Sequence, residues 1–575
     1  MKNILAIVSF GGLACVAAAP PAAAQVVIAS KIPQVGSANP ATAAPLVPRP
    51  ASKHCSVHLF HDLEFADFSA KSFSFTPPRD CPGPWAKVVF SADFTVTAGR
   101  QFDRTAAFYL GHSNLYYGTT AEPSAAVSPS WHVERDVTDL SAVFASRQSG
   151  EADLGNFVGV SGGVDYTGII YADAELEFYE VPDGAAAPPV PDVVIPVPDA
   201  AGGAVSLDTT ASVLTQSVTL PRNTERLYLD VIAQSQSNDE FWFTCVPNDL
   251  ASELQSCGNT AFRETEIAID GAVAGVAPVT PWIYTGGIDP YLWRPIPGIQ
   301  TLDFEPYRVD LSPFAGTLDD GKAHTIALSV YGANSYFLVT GNLLAYTDHG
   351  ASVVTGAILQ NSLTATPAPV VVEDIVTGAS GDITGTVRVS AVREYTIRGF
   401  ANTSHGRVES KVQASIKFDN TQTFNITTSN YVQNVNQSTA VYAKSSSVGA
   451  GGAAQSTESF RSFPLALNYA QIGNADGSFD VTTTALQQRA TDETSERAAA
   501  ATGAAPLAAT ASSRNVVSAA DTLLFDAGGS LTGRKNQATS QSFLAENSSG
   551  LCYSRDIAAA SGVLTSIEDG KACRK

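Results

Sequence analysis

The sequence predicts an all-β protein built as two adjacent jelly-roll β-sandwiches followed by a β-rich carboxy-terminal domain. Apolar residues recur at every second position in short runs, as at Val88, Phe90, Ala92 and Phe94, or Ala174, Leu176 and Phe178. That period is the mark of a strand with one face buried. Gly, Pro, Asn and Asp separate these runs at short intervals, as turns require, and no stretch sustains a capped helical period.

The chain has 575 residues, more than one hydrophobic core can organise, so several domains are expected. Residues 1–24 read as a signal peptide: Lys2 and Asn3 precede an apolar run from Ile4 to Val16, and Ala22-Ala23-Ala24 offers a cleavage site. Residues 25–50 are Ala/Pro-rich and read as a linker. The first sandwich is placed at 51–182, ending on the strand that carries Leu176 and Phe178, and a Pro-rich connector at 183–203. The second sandwich, at 204–350, has strand signals at Leu227, Leu229 and Val231 and at Ile326, Leu328 and Val330. Beyond it, 351–575 is rich in Ser, Thr, Asn, Gln and Ala. Val412, Ala414, Ile416 and Phe418 alternate with polar residues there, so strands continue, with Ser445–Gln455 and Ala498–Ser513 read as flexible interruptions.

Past the leader remain Cys55, Cys81, Cys245, Cys257, Cys552 and Cys573, an even set without a metal-type CxxC, which points to disulfides in an oxidising compartment. Spacing favours the local pairs 55 with 81, 245 with 257 and 552 with 573, among 15 possible connectivities. With the short Ala-rich leader, this predicts a secreted or periplasmic protein of bacterial origin. A net charge of −21 without a basic run argues against nucleic acid or anionic membranes as partners. No later apolar run approaches the roughly 20 residues that span a bilayer. A monomer acting on neutral ligands such as sugars is the expectation.

Several motifs carry no chemistry. Gly159-Val160-Ser161-Gly162-Gly163 has the spacing of a nucleophile elbow, but that turn needs a helix after it and the following residues read as strand. His54, His58, His61, His112 and His132 lack a His-Glu-x-x-His pattern. No metal and no cofactor is implied.

One ordered set of motifs is more specific. Gly99-Arg100-Gln101-Phe102-Asp103-Arg104 is followed by Asn238-Asp239-Glu240-Phe241-Trp242, Ala261-Phe262-Arg263-Glu264, Tyr284-Thr285-Gly286-Gly287-Ile288-Asp289-Pro290, Leu292-Trp293-Arg294-Pro295 and Tyr307-Arg308-Val309-Asp310-Leu311-Ser312-Pro313-Phe314. In this order, across roughly Cys55 to Asp348, they resemble the peptide-N-glycanase A family, and more distantly the peptide-N-glycanase F group. The resemblance implies an amidase that hydrolyses the bond joining an N-linked glycan to asparagine, with N-glycosylated peptides or proteins as substrates. It also supports the two-sandwich architecture, and Thr403-Ser404-His405-Gly406 is similar to a motif in that family's carboxy-terminal extension.

Such hydrolysis needs a base for water and an acid for the departing glycosylamine nitrogen, and two carboxyl groups of unequal pKa supply both. The resemblance implies Asp103 and Glu240 as this pair, in a cleft between the sandwiches, because Phe102-Asp103-Arg104 matches a catalytic Trp-Asp-Arg triplet and Glu240 precedes an aromatic pair. The alternative for Asp103 is a structural ion pair with Arg104. A third, binding carboxylate has no clear counterpart; the comparable strand reads Asp153-Leu154-Gly155-Asn156, and Glu122 is a substitute or a loop anchor. Arg104, Asp239, Trp242, Arg263, Trp293 and Arg294 complete the expected substrate-binding set. Trp293, on a Gly- and Pro-rich loop, is the preferred stacking platform and Trp131 is read as core. Two rival readings remain: a sugar-binding lectin, which needs no tuned carboxylate pair, and an endoglycosidase, which would leave asparagine glycosylated.

Overall fold

The computed structural model describes residues 26–27, 33–198, 203–498 and 507–573. The expected signal peptide lies outside these residues. Strands dominate what is described; the two α-helices, Ser141–Phe144 and Ala315–Leu318, are single turns.

The first unit contains β1 (His54–Phe65), β2 (Lys71–Phe75), β3 (Trp85–Val96), β4 (Thr105–Leu110), β5 (Ser113–Thr119), β6 (Ser130–Asp136), β7 (Gln148–Leu154) and β8 (Ile170–Glu180). They form two four-stranded sheets, ordered β1-β8-β3-β6 and β2-β7-β4-β5. The alternation read in the sequence sets the register: Phe90, Ala92 and Phe94 of β3 pair with Leu176, Ala174 and Ala172 of β8, placing their side chains on one face. Phe90, Phe94, Phe108, Tyr116 and Phe178 fill the space between the sheets. Trp131 stacks on Phe94 at 5.2 Å inside this core.

The second unit repeats the pattern with β9 (Val193–Val197), β10 (Val205–Leu207), β11 (Val213–Val218), β12 (Thr224–Gln236), β13 (Glu264–Ile269), β14 (Ala272–Pro278), β15 (Tyr307–Asp310), β16 (His324–Tyr331) and β17 (Tyr336–Thr347). The sheets run β10-β17-β12-β15 and β11-β16-β13-β14, with β9 also on β17. Both units thus share one strand order, consistent with the jelly-roll expectation. The two sandwiches meet along a seam of mixed character, where Tyr109 and Tyr117 pack with Ile232, Tyr284 and Phe304 among polar contacts. Asn114 and Asn342 exchange side-chain-to-backbone hydrogen bonds, Tyr117 Oη donates to Gln234 at 2.7 Å, and Phe304 N donates to Tyr117 O at 2.7 Å.

The carboxy-terminal region is one antiparallel sheet of twelve strands, several about 20 residues long, from Thr355–Asn361 to Val563–Asp569. Val412, Ala414, Ile416 and Phe418 lie on its inner face, in the same core as Leu227, Leu229, Trp242 and Ile267 of the second sandwich.

Three expectations change. Within the expected 25–50 linker, residues 33–50 are no free linker: Ala41 and Ala43 are buried against Ile296, Ile557 and Leu564, and Ala41 N donates to Pro295 O while Ala43 N donates to Gln541. Small alanines make this close approach possible, so the segment is a strap joining all three units. Part of the 183–203 connector is strand β9, because the β-branched run Val193-Val194-Ile195 opens a segment, Val193–Val197, that pairs with Gly341–Ala345. Ser445–Gln455 is the tip of a hairpin, with Asn430–Val448 pairing against Ala454–Ser462, and residues 507–513 belong to strand Leu507–Phe525. In a long sheet, neighbours satisfy each backbone group, so polar strands need no apolar alternation.

Disulfides join Cys55 to Cys81, Cys245 to Cys257 and Cys552 to Cys573. Cys245–Cys257 closes a short loop beyond Glu240. Replacing both of its cysteines by alanine should lower unfolding free energy by roughly 3 kcal/mol, the loop-closure value for about 13 residues, measured by denaturant titration. Truncation after residue 364 should give protein that binds hydrophobic dyes and aggregates, because it uncovers the shared core; a monodisperse, fully stable truncate would contradict the shared core.

Candidate active site

Three carboxyl groups converge on one glycine pair. Asp103 precedes β4, Glu122 follows β5, and Glu240 sits just after β12, so two come from the first sandwich and one from the second. Gly286 N donates to Asp103 Oδ2 at 2.7 Å. A methyl group placed on Gly286 would lie 2.2 Å from Glu122 Oε2 and 3.1 Å from Asp103 Oδ1, and one on Gly287 would lie 3.3 Å from Glu240 Oε1. Only glycine lets the carboxyl groups approach this backbone so closely.

The loops are held across the seam. Thr285 Oγ1 donates to Thr120 O and accepts from Glu122 N, both at 2.8 Å, and Arg294 Nε donates to Glu122 O at 2.8 Å. Thr120 and Arg104 exchange a second pair of bonds. Ser237 and Ile288 take left-handed φ values of +54° and +65° beside Glu240 and Gly287. Such strain persists only where the surroundings over-determine it.

The electrostatics differ among the three groups. Burial pushes Glu240 up to about 7, and the neighbouring Asp103 and Glu122 add to the rise; no cation opposes it. Glu122 is also pushed to about 7, by burial and then by Asp103, with Arg294 opposing; their charged atoms stand 3.9 Å apart. Burial raises Asp103 as well, but the Gly286 N–H and the Arg104 guanidinium favour its ionised form. Asp103 therefore has the best-stabilised charge and Glu240 the least.

The expected binding residues separate into two sets. Arg104, Glu122 and Arg294 surround the cluster, and buried Arg104 Nε has no hydrogen-bond partner. Asp239, Arg263 and Trp242 are not presented to a ligand, and Trp293 packs behind the glycine pair rather than facing the carboxyl cluster. Asp239 is fully buried, paired with Arg263 Nη2 at 3.0 Å and accepting from Asn334 N and Ser335 N, so this ion pair braces the turn carrying Glu240. Trp242 is core, against Phe243 and Phe418. Trp293 is buried and donates its indole N–H to Gly287 O at 2.9 Å, fixing the glycine pair from behind. Apolar bulk outweighed loop position in these cases.

An aromatic row beside Asp103 was not legible in the sequence. Phe102 meets Tyr166 at 5.3 Å, Tyr166 meets Phe157 at 5.8 Å, and Phe157 meets the exposed Phe68 at 6.5 Å. These residues come from three loops and the hairpin Gly159–Tyr166, which also contains the rejected Gly-x-Ser-x-Gly run. His58 and His61 lie on the exposed face of β1, beside Glu175 and Asp173, in another part of the molecule.

The carboxy-terminal sheet also reaches these loops. Its inward amides bond to their backbone: Asn420 to Phe243 O, Gln422 to Cys245 O, Gln487 to Pro281 O and Ile299 N, and Gln537 to Tyr291 O and Arg294 O.

A family model described as peptide N-acetyl-beta-D-glucosaminyl asparaginase amidase A matches residues 45–364. The chain belongs to this family. A peptide-N4-(N-acetyl-beta-glucosaminyl)asparagine amidase A from Prunus dulcis is 28% identical over 455 residues, 75% of this chain and 77% of the relative. Among solved structures, PNGase F, a glycosylasparaginase from Flavobacterium meningosepticum, aligns with a TM-score of 0.34 at 15% identity, over 51% of this chain and 96% of its own. PNGF-II aligns at 0.36 and 12% identity, over 52% and 66%. The match places the carboxylate cluster and the glycine pair within the family's matched residues.

Two outcomes are expected of the cluster. Gly286→Ala should abolish most activity, by 100-fold or more, with the melting temperature little changed, because the methyl displaces Glu122 and Asp103. Glu240, raised when folded, stabilises the fold below its ordinary range and loses that contribution as pH climbs through about 7. Glu240→Gln should therefore be more stable than the parent by about 1–2 kcal/mol at pH 8, allowing for partial exposure, and no more stable at pH 4. Thermal unfolding at both pH values checks this.

Proposed function

We propose that this member of the peptide-N-glycanase A family is an amidase that hydrolyses the glycan–asparagine bond of N-glycopeptides and N-glycoproteins. It frees the glycan as a glycosylamine and leaves aspartate. The single observation that carries this reading is the carboxyl cluster at Gly286–Gly287, with one stabilised and one unstabilised charge.

At neutral pH three clustered carboxyls do not all ionise. Asp103, aided by the Gly286 N–H and Arg104, holds the negative charge and acts as base, accepting a proton from the water that attacks the asparagine side-chain carbonyl carbon. Glu240, pushed up to about 7 with no cation beside it, acts as acid, giving its proton to the glycosylamine nitrogen as the C–N bond breaks. Glu122, beside Arg294, orients the amide. The partnerless Arg104 Nε is a donor for the substrate, and the row from Phe102 to Phe68 offers faces on which sugar rings stack. A lectin would not need the tuned carboxyl pair, and an endoglycosidase would cleave between sugars and leave asparagine glycosylated. The leader and disulfides support a secreted or periplasmic location.

The test is incubation with a defined glycopeptide and mass spectrometry of the peptide. Conversion of Asn to Asp, a gain of about one mass unit over the unmodified Asn peptide, identifies amidase chemistry; peptide retaining one N-acetylglucosamine identifies an endoglycosidase. Asp103→Asn should lower kcat by 10²-fold or more while glycopeptide binding stays measurable. Tyr166→Ala should chiefly raise KM, several-fold, and near-parental KM would remove the aromatic row from sugar binding.

A further inference from the structure

A cavity of about 200 Å³ opens on the far flank of Glu122. Its lining includes Glu122 and Thr285 but not Asp103, Phe102 or Tyr166, so it adjoins the cluster on the side away from the aromatic row. All parts of the chain contribute to it: Pro40 from the amino-terminal strap, Val127 and Pro129 from the first sandwich, Trp293 and Pro295 from the second, and Val563 from the carboxy-terminal sheet.

Chemistry restricts the occupant. Sugar hydroxyls need free donors and acceptors, yet several polar atoms of this wall are already engaged. Thr285 Oγ1 bonds to Thr120 O and Glu122 N, Trp293 Nε1 to Gly287 O, and Arg294 Nε to Glu122 O. What remains is largely the surface of prolines, valines and indole, alongside the Glu122 carboxyl and the Arg294 and Arg534 guanidinium groups. Arg294 and Arg534 both lie over the Tyr291 ring, at 4.7 and 4.1 Å, closing the wall. Size restricts it as well: a cavity of roughly 150 Å³ holds a benzene ring, so 200 Å³ takes one aromatic or branched side chain and not a disaccharide.

We infer that this cavity is a peptide-side subsite, which receives an apolar side chain flanking the glycosylated asparagine, while the glycan lies along the aromatic row. This inference rests on the amidase reading. It also gives the carboxy-terminal sheet and the strap, which the matched family residues leave largely outside, a share in substrate selection.

The test uses the full-length protein and glycopeptides of one glycan, with Phe, Leu, Glu or Gly at each position flanking the asparagine. At one position, kcat/KM should favour Phe or Leu over Gly by about 10-fold or more. Val563→Trp, which fills the cavity, should collapse that ratio toward one; Val563→Ala should keep it and improve acceptance of Trp, so a misfolded Trp variant leaves a second readout. Equal rates for all peptides would overturn the subsite, and a preference for Glu would assign the cavity to acidic groups through Arg534 instead. No release from any peptide would remove the amidase reading itself, whereas release without side-chain preference removes only this inference.

Discussion

Three carboxyl groups set against two glycines, in a cleft half withdrawn from water, is the constraint on which the rest of the structure depends. Like charges at such range raise one another's proton affinity, and desolvation adds to the effect. Left alone, the groups would turn toward solvent or the loops would part. The protein holds them with the Gly286 N–H on Asp103, Arg294 across Glu122, and the buried Asp239–Arg263 pair beneath Glu240. On the proposed reading, the same asymmetry separates a base from an acid.

Holding this arrangement requires more than two sandwiches. The glycine loop and the Glu240 turn are long and irregular, with many backbone groups that no strand satisfies. The carboxy-terminal sheet supplies the partners through Asn420, Gln422, Gln487 and Gln537. Its abundance of Gln and Asn thus has a mechanical meaning: planar amides both donate and accept, and from the sheet's inner face they meet loop backbone. The amino-terminal strap ties the outer end of this sheet back to the loop at Pro295.

What the sequence disclosed follows from the range of each signal. Strand alternation is local, so the sandwiches and the Val412–Phe418 strand were legible, as were the disulfides, whose partners lie close along the chain. Asp103 and Glu240 were legible through ordered motifs. Glu122 was ambiguous because its role depends on Gly286, more than 160 residues away. Trp242 and Arg263 turned inward for one reason: a large side chain in a motif can serve the loop's interior as readily as its surface. The aromatic row gave no signal, since Phe68, Phe102, Phe157 and Tyr166 meet only when separate loops fold together. The Ala/Pro-rich strap resembled a linker because small residues suit both solvent and tight packing.

The account turns on how charge is divided within the cluster, and carboxyl infrared titration measures that division directly. Difference spectra of the parent protein against Glu240→Gln, recorded as pH is raised, should show a protonated carboxyl that persists above pH 6 and disappears near pH 7, absent from the variant. The Asp103→Asn difference should show a carboxylate that ionises at lower pH than Glu240 does. If both groups instead ionise together near the ordinary carboxylate value of about 4, the cluster is not tuned, and the division into base and acid is wrong.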